Sequence, residues 1–528
     1  MKLRYISILT VVALAGCSKL EQKLNDSFNR GPSAGSSDVG AVLTSAYNAM
    51  NNLVHNQERI FLLNEVTSDE ALVPTRGGDW DDGGVFRTLH SHTWTPIHTY
   101  IKGTFNELGG LQHAATTVLA FGPNAEQRAE ALFLRSYAQF NTLDFYGQVP
   151  WRPYTEYNSL EPAPVMTAAE AIDTLDNVLS EIIPLLPDAN APYKASPDAA
   201  RFLLMKLLLN KGVFLNRSSP SFDNADMQRV IDIGEEIISS GRYELNPVYF
   251  DNFGPENATK STESILAWNN TGAASSSDGI NSGGINARWM MTLHYNSWNE
   301  KKGSAGWNGF STLADFYSTF GAGDQRLGQT PYPGVTDVSG LRPGFLVGQQ
   351  VDEDGVDLKD RQGNDLAFTP EVSLVETQKA RIEVAGIRVI KYPPDYSAYD
   401  GGNQRNQLQI FRYADVILMV AEAHARMGDL GTAQTMINDL RAIRGAGPIT
   451  SLTLVNSTDV NDPNTILAER GRELYWESWR RQDLIRFGVF TLATDLRPAD
   501  EDPVRNLLYP IAPDELLANP NLVQNPGY

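Results

Sequence analysis

Only one cysteine, Cys17, occurs in the 528-residue chain, so no disulfide can form within it and its stability has to come from a packed core. Positive charge is also scarce. The 43 Lys and Arg stand against 63 Asp and Glu, and the resulting formal charge of −20 opposes nucleic acid and anionic lipid surfaces as partners while leaving neutral or cationic ligands open. The apolar run at the amino terminus, Ile6 to Ala15, falls short of the roughly 20 helical residues that cross a bilayer. The rest of the composition is ordinary: with 42% hydrophobic and 20% charged residues, the chain can bury a large core.

Lys2 and Arg4 precede that apolar run and Leu14-Ala15-Gly16-Cys17 closes it, which resembles the lipobox of bacterial lipoproteins. Residues 1–16 then read as an export signal, and Cys17 as the site of lipid attachment, through which the chain is held at a membrane. Residues 17–36 form the anchor and a tether, since Leu24 to Ser37 is rich in Ser, Gly and Asn. A single folded body over 37–528 is expected to follow.

The clearest periodicity lies in Phe411 to Gly447. Tyr413, Val416, Ile417, Val420, His424 and Met427 recur at steps of three and four, Gly428, Asp429 and Gly431 supply a turn, and Ala433, Met436, Ile437, Leu440 and Ile443 form a second stripe ending at Gly445. Such an αα-hairpin cannot cover its own apolar faces, so further copies are expected. Helical spacing recurs over Ser37 to Leu53, Ile101 to Leu119, Glu126 to Tyr146, Ala168 to Leu186, Asp198 to Leu215 and Asp226 to Ser240. Asp462 and Pro463 predict another helix start. Residues 243–410 differ, with abundant Gly, Ser, Asn and Asp, scattered aromatics, and short runs such as Ile382 to Tyr392 that suggest small strands. The fold class is therefore mainly α: a tetratricopeptide-like array of helical hairpins within 37–242 and 411–490, carrying a loop-rich, aromatic insertion with a few short strands.

Few motifs carry catalytic chemistry. Gly31-Pro32-Ser33-Ala34-Gly35 has the spacing of a hydrolase nucleophile turn but lies in the tether. His90, His92 and His98 lack the spacing of a zinc helix, and read as polar or core histidines. Asp352 to Asp365 is similar in outline to a calcium loop, although Asp357 stands where a glycine is needed; a structural calcium stays open there, with a solvated acidic loop preferred. Asp79, Asp81 and Asp82 are too close in sequence to give the separated acid and partner that glycoside cleavage requires. The aromatics say more. Trp307, in Gly306-Trp307-Asn308-Gly309, sits in a run too rich in glycine for a core element, so its indole is expected on display, with Asn308 able to meet hydroxyl groups edge-on. Trp80, in Arg76-Gly77-Gly78-Asp79-Trp80, has a similar setting. Trp289, Tyr295 and Trp298 are further candidates, with packing of the insertion as the other explanation, and Trp94 is assigned to packing.

Three stretches resemble the SusD/RagB family of outer-membrane nutrient-binding lipoproteins: Ala129 to Pro150, the Phe411 to Gly447 hairpin with Arg412 and Ala421-Glu422-Ala423, and Arg470 to Gly488 with Glu473-Leu474, Arg480-Arg481, Asp483-Leu484 and Arg486-Phe487-Gly488. The ending Asn525-Pro526-Gly527-Tyr528 is similar to that of starch-binding members, and Ser478 departs from the glycine that members usually carry before the arginine pair. Physically, Asp483 can pair with a cation three residues either way, and the cluster reads as an ion-pair network that locks a terminal helix to the array. The resemblance implies a non-enzymatic glycan-binding lipoprotein on the cell exterior. It would need no cofactor, capture oligosaccharide or polysaccharide, and pass it to a SusC-like TonB-dependent transporter on which it sits as a lid. The resemblance also implies that Trp307 belongs to an aromatic arc and that the segment with Arg76, Asp79 and Trp80 contributes contacts. Two other classes compete. A glycoside hydrolase with an aromatic cleft would release reducing ends from glycans, and a helical-repeat adaptor that binds only protein would not need the long aromatic insertion.

The anchor reading makes one direct prediction. Cys17→Ala should give a folded, soluble protein absent from the membrane fraction, and retention of the variant in outer-membrane vesicles at the parental level would refute lipid attachment.

Overall fold

Helix starts are written locally in the sequence. In a computed structural model that describes residues 36–188, 192–270, 285, 287–297, 306–328, 343–352, 355–393 and 405–528, several of the long helices open where a capping side chain stands. Helix α1 spans Ser36–His55 and α2 spans Thr99–Ala120. Reciprocal capping boxes start α3 (Ala125–Tyr146), through Asn124 and Gln127, and α4 (Ala168–Ile182), through Thr167 and Glu170. Ser196 followed by proline starts α5 (Pro197–Leu215), and Asp223 starts α6 (Asn224–Ser239). After the insertion come α7 (Tyr413–Arg426) and α8 (Leu430–Ile443), the latter ending before Gly445 with φ of 68°. The signal sequence, Cys17 and the tether up to residue 35 lie outside the described residues.

Consecutive helices pack on one another from α1 to α8, and the order is not broken by the insertion, because α6 lies against α7 although more than 170 residues separate their ends. Gly234 of α6 makes this approach possible: a Cβ there would stand 2.2 Å from Val420 of α7. The array of helical hairpins is therefore present, with one correction to the reading of α7. Its buried residues run all round it, from Ala414 and Val416 through Leu418, Met419 and Val420 to Ala421 and Ala423, while Met427 is exposed. Alanines let α6, α8 and a later helix approach from several sides, so the single apolar stripe seen in the sequence understates its burial.

The insertion is strapped to the array by short ladders. At its base β2 (Ser264–Trp268) pairs antiparallel with β6 (Leu408–Arg412), which runs directly into α7. Strand β1 (Thr75–Trp80) pairs parallel with β4 (Val375–Glu376), and β3 (Gly344–Leu346) antiparallel with β5 (Arg388–Ile390). Within the run expected to be extended, Ile382 to Tyr392, only β5 is a strand.

Two further helices, α9 (Ile466–Leu474) and α10 (Arg480–Arg486), are buried along their whole length. Thr465 caps α9, three residues later than Asp462 and Pro463 predicted, because the Asp462 carboxylate is already taken by the amides of Asn464 and the side chain of Asn456. Glu473 accepts hydrogen bonds from Arg412 at 2.6 Å, Arg444 at 2.8 Å and Arg326 at 3.1 Å. Asp483 pairs with Arg470 at 2.8 Å and Arg486 at 2.7 Å, but not with Arg480, which leaves the start of α10 in the other direction to grip both oxygens of Asp69. Burial alone would raise the carboxyls of Glu473 and Glu422; the guanidinium groups of Arg444, Arg412 and Arg326 on the first, and of Arg486 and Arg426 on the second, hold both down at about 2. Groups depressed in the folded state add stability that is complete above the unfolded carboxyl pKa and is lost as pH falls through the folded value. The urea midpoint is therefore expected to drop steeply between pH 4.5 and pH 2, and a midpoint that is flat across that window would contradict this account.

Ser478 carries the family departure into backbone energetics. Its φ is 71°, in the left-handed region that favours glycine, and its N–H donates to Glu65 at 2.6 Å. Ser478→Gly keeps that donor and is expected to raise stability by about 1 kcal/mol, read as a higher denaturant midpoint at unchanged slope.

Candidate functional site

A concave feature joins the segment before α2 to the insertion. A pocket of about 250 Å³ is walled by Trp80, Phe86, Tyr100, Trp307 and Phe310, with Gln57, Glu58 and Asp82 supplying its polar lining. Aromatic rings and polar side chains thus both face this space, a combination that ligand sites commonly show.

Its geometry is set by backbone conformations that side chains rarely favour. Trp80 has φ of 63° and Asn308 of 52°, so both stand in the left-handed region, and each is over-determined by its neighbours. The Trp80 indole Nε1–H donates to the carbonyl of Trp307 at 2.8 Å, and the ring meets Phe310 edge-on at 5.7 Å and Phe86 at 5.6 Å. The two indoles lie 6.5 Å apart and are inclined by 45°. Gly309 provides the seat: a Cβ there would fall 2.4 Å from the Trp80 ring. The run 307–310 is not a loose display loop. Its amides donate to the carbonyls of Met290, Leu293 and Met291 over 2.6–2.9 Å.

The structure brings Trp80 and Trp307 together and leaves Asp79 and Tyr295 as a separate surface pair. The Tyr295 hydroxyl donates to Asp79 at 2.7 Å and its ring is covered by Arg361 at 3.9 Å; burial, then Asp79, pushes that hydroxyl up to about 12. Three expectations need correction. Asn308 is 1% exposed and its amide oxygen accepts from Arg388 at 2.8 Å, so it cannot reach a ligand. Trp289 is 3% exposed and belongs to the core. Arg76 is buried as a backbone clamp, donating to the carbonyls of Ala385 at 2.9 Å and Ile382 at 3.1 Å and to the Ser311 hydroxyl at 3.0 Å. Trp298 lies outside the described residues. Trp94 is fully buried against Tyr509, with its N–H on the Tyr528 hydroxyl.

Tyr100, Phe310, Glu58 and Gln57 were not anticipated. Tyr100 was hidden in the first turn of α2 and Phe310 in the run after Trp307, where the repeat of an aromatic three residues on was the available signal. The remaining motifs are occupied structurally. His90, His92 and His98 each face a different carbonyl, those of Val66, Thr67 and Val85. The Asp360 carboxylate of the acidic loop is taken by the amides of Gln362 and Asn364 and the Asn364 side chain, and no grouping of metal-ligating side chains occurs among the described residues.

An array of helical hairpins whose insertion closes an aromatic pocket against the first helices is the class that fold and site define. The chain belongs to the SusD family, whose sequence model matches residues 254–528. It is similar to the starch-binding protein SusD of Bacteroides thetaiotaomicron, 24% identical over 514 residues that cover 89% of this chain and 85% of that protein. The SusD-like protein P38 of Formosa agariphila is 31% identical over a shorter stretch of 123 residues, covering 22% of this chain and 24% of that one. Among solved structures, a SusD superfamily protein from Parabacteroides distasonis superposes with a TM-score of 0.69 at 17% identity, covering 93% of this chain and 99% of that chain. Surface glycan-binding protein A from Bacteroides thetaiotaomicron, solved in complex with laminarihexaose, does so with a TM-score of 0.66 at 18% identity and the same coverage. Two of these relatives, SusD and surface glycan-binding protein A, are named as binding proteins rather than enzymes.

Gly309→Ala is expected to unseat the Trp80 ring at a cost of about 1–3 kcal/mol and to shift tryptophan emission to longer wavelength, whereas an unchanged spectrum and melt would mean the ring is not seated as described.

Proposed function

We propose that this protein is a non-enzymatic glycan-binding lipoprotein of the outer membrane, which captures oligosaccharide at the Trp80–Trp307 pocket and delivers it to a SusC-like TonB-dependent transporter. The observation that carries the reading is the pair of indoles fixed 6.5 Å apart over a half-open pocket. An indole lies flat against the C–H face of a pyranose, so both surfaces lose water while little side-chain freedom remains to be lost. Gln57, Glu58 and Asp82 are placed to accept or donate at hydroxyl groups around the ring edge. Two relatives of the family, one named as starch-binding and one solved with laminarihexaose, support a glycan as the ligand. Anchoring rests on Cys17 and the lipobox before it, and transporter contact falls to the array rather than to the pocket.

Trp307→Ala tests the reading. Removing an aromatic anchor costs about 2 kcal/mol or more, near thirtyfold in dissociation constant, and calorimetry with a glycan selected from an array should show that loss. Trp94→Ala is the control, with about 3–5 kcal/mol of stability lost from the core. A Trp307→Ala protein that binds as before but melts like the control would remove Trp307 from the site.

A further inference from the structure

Among the described residues, the charge that lines the pocket has one sign. Among the described lining residues the ionisable groups are Glu58, Asp82 and the Tyr100 phenol, and no lysine, arginine or histidine lines it. Two nearby cations among the described residues, Arg59 and Arg87, are each held by a carboxylate outside the pocket lining. Arg59 stands 3.7 Å from Glu58, but its Nε–H donates to Glu107 at 2.6 Å, which brings a further carboxylate to the same flank. Arg87 is bound to Asp81 and the Thr75 hydroxyl. Both lining carboxylates are felt inside the pocket: the Tyr100 phenol is pushed up first by burial and then by Glu58 and Asp82. Glu58 is itself raised by burial and further by Glu107 and Asp82, against the pull of Arg59.

Resting on the reading of this pocket as a glycan site, we propose that it selects by charge: neutral and amino sugars enter, and sugars bearing a carboxylate are turned away. A carboxylate accepts strong hydrogen bonds from sugar hydroxyls and stronger ones from a sugar ammonium. A uronate brings a like charge beside an aromatic wall, where the exclusion of water leaves the repulsion poorly screened, and it removes a hydroxymethyl donor at the same time. The one-sided lining thus serves both recognition and exclusion.

The charge of the pocket can be measured without any glycan. In the parent, the share of tryptophan emission that disappears in Trp307→Phe should be quenched readily by caesium, less by neutral acrylamide relative to its intrinsic efficiency, and poorly by iodide. The variant carrying Glu58→Gln and Asp82→Asn should lose the preference for caesium. Equal access of iodide and caesium in the parent overturns the proposal, whatever glycan the protein binds. The second measurement compares matched hexaoses: neutral α-1,4- and β-1,3-glucans, a glucosamine hexamer and a galacturonate hexamer. The ratio of uronate to neutral affinity should rise at least tenfold in the double variant, and an unchanged ratio again overturns the proposal. Correct quenching with no hexaose bound would count against the glycan reading while leaving the charge assignment standing, so the two fail separately.

Discussion

Glu473 is where the distant parts of the chain meet. Arg326 reaches it from the insertion, Arg412 from the end of β6 and Arg444 from the end of α8, and Arg412 and Arg444 also share Glu263. All of these groups are out of contact with water. Charges in such a place gain little net stability over apolar residues of the same shape, because desolvation offsets most of their attraction. Their effect is selective: any register of the insertion that left one guanidinium without its carboxylate would be penalised by several kcal/mol. A second set, Asp415, Glu422 and Asp483 with Lys206, Arg470 and Arg486, extends the same logic to α5, α7, α9 and α10. The helical array can thus interrupt itself between α6 and α7 and still present the inserted residues at one place.

That placement is what the pocket uses. Its two walls come from segments more than 200 residues apart, and Arg76 ties them by donating to the carbonyls of Ile382 and Ala385, just before β5, and to that of Gly309. Left-handed conformations at Trp80 and Asn308 cost on the order of 1–3 kcal/mol each, and they persist only because the surrounding hydrogen bonds leave no alternative. Both fall at the pocket, as does the glycine whose missing side chain admits the indole.

Caps and apolar spacing act over a few residues, which is why α1 to α8 could be read with boundaries close to those found. What the sequence hid was anything decided by a partner far along the chain. Asn308 looked free for a ligand until Arg388 is seen to hold it, and Arg76 looked like a loop cation until its carbonyl partners come into view. Trp80 and Trp307 were recognisable from glycine-rich settings alone, but their meeting was not, and Tyr100 and Phe310 carried no local mark. The arginine-rich run of α10 announced a buried network, yet the partner of Arg480 stands at Asp69. The stripe of α7 was plain in the sequence, but its full burial was not, because the alanines that let neighbouring helices close in from other sides carry little apolar signal of their own.

A platform whose backbone is already committed has a kinetic consequence. With nothing to rearrange, a sugar can associate at the ordinary docking rate of about 10⁵–10⁷ M⁻¹s⁻¹. For a dissociation constant in the micromolar to millimolar range, that rate implies departure in about ten seconds at the slowest and about a tenth of a millisecond at the fastest. On the reading proposed above, a site whose backbone is set before binding exchanges its ligand quickly, because no closed state has to open before the ligand leaves.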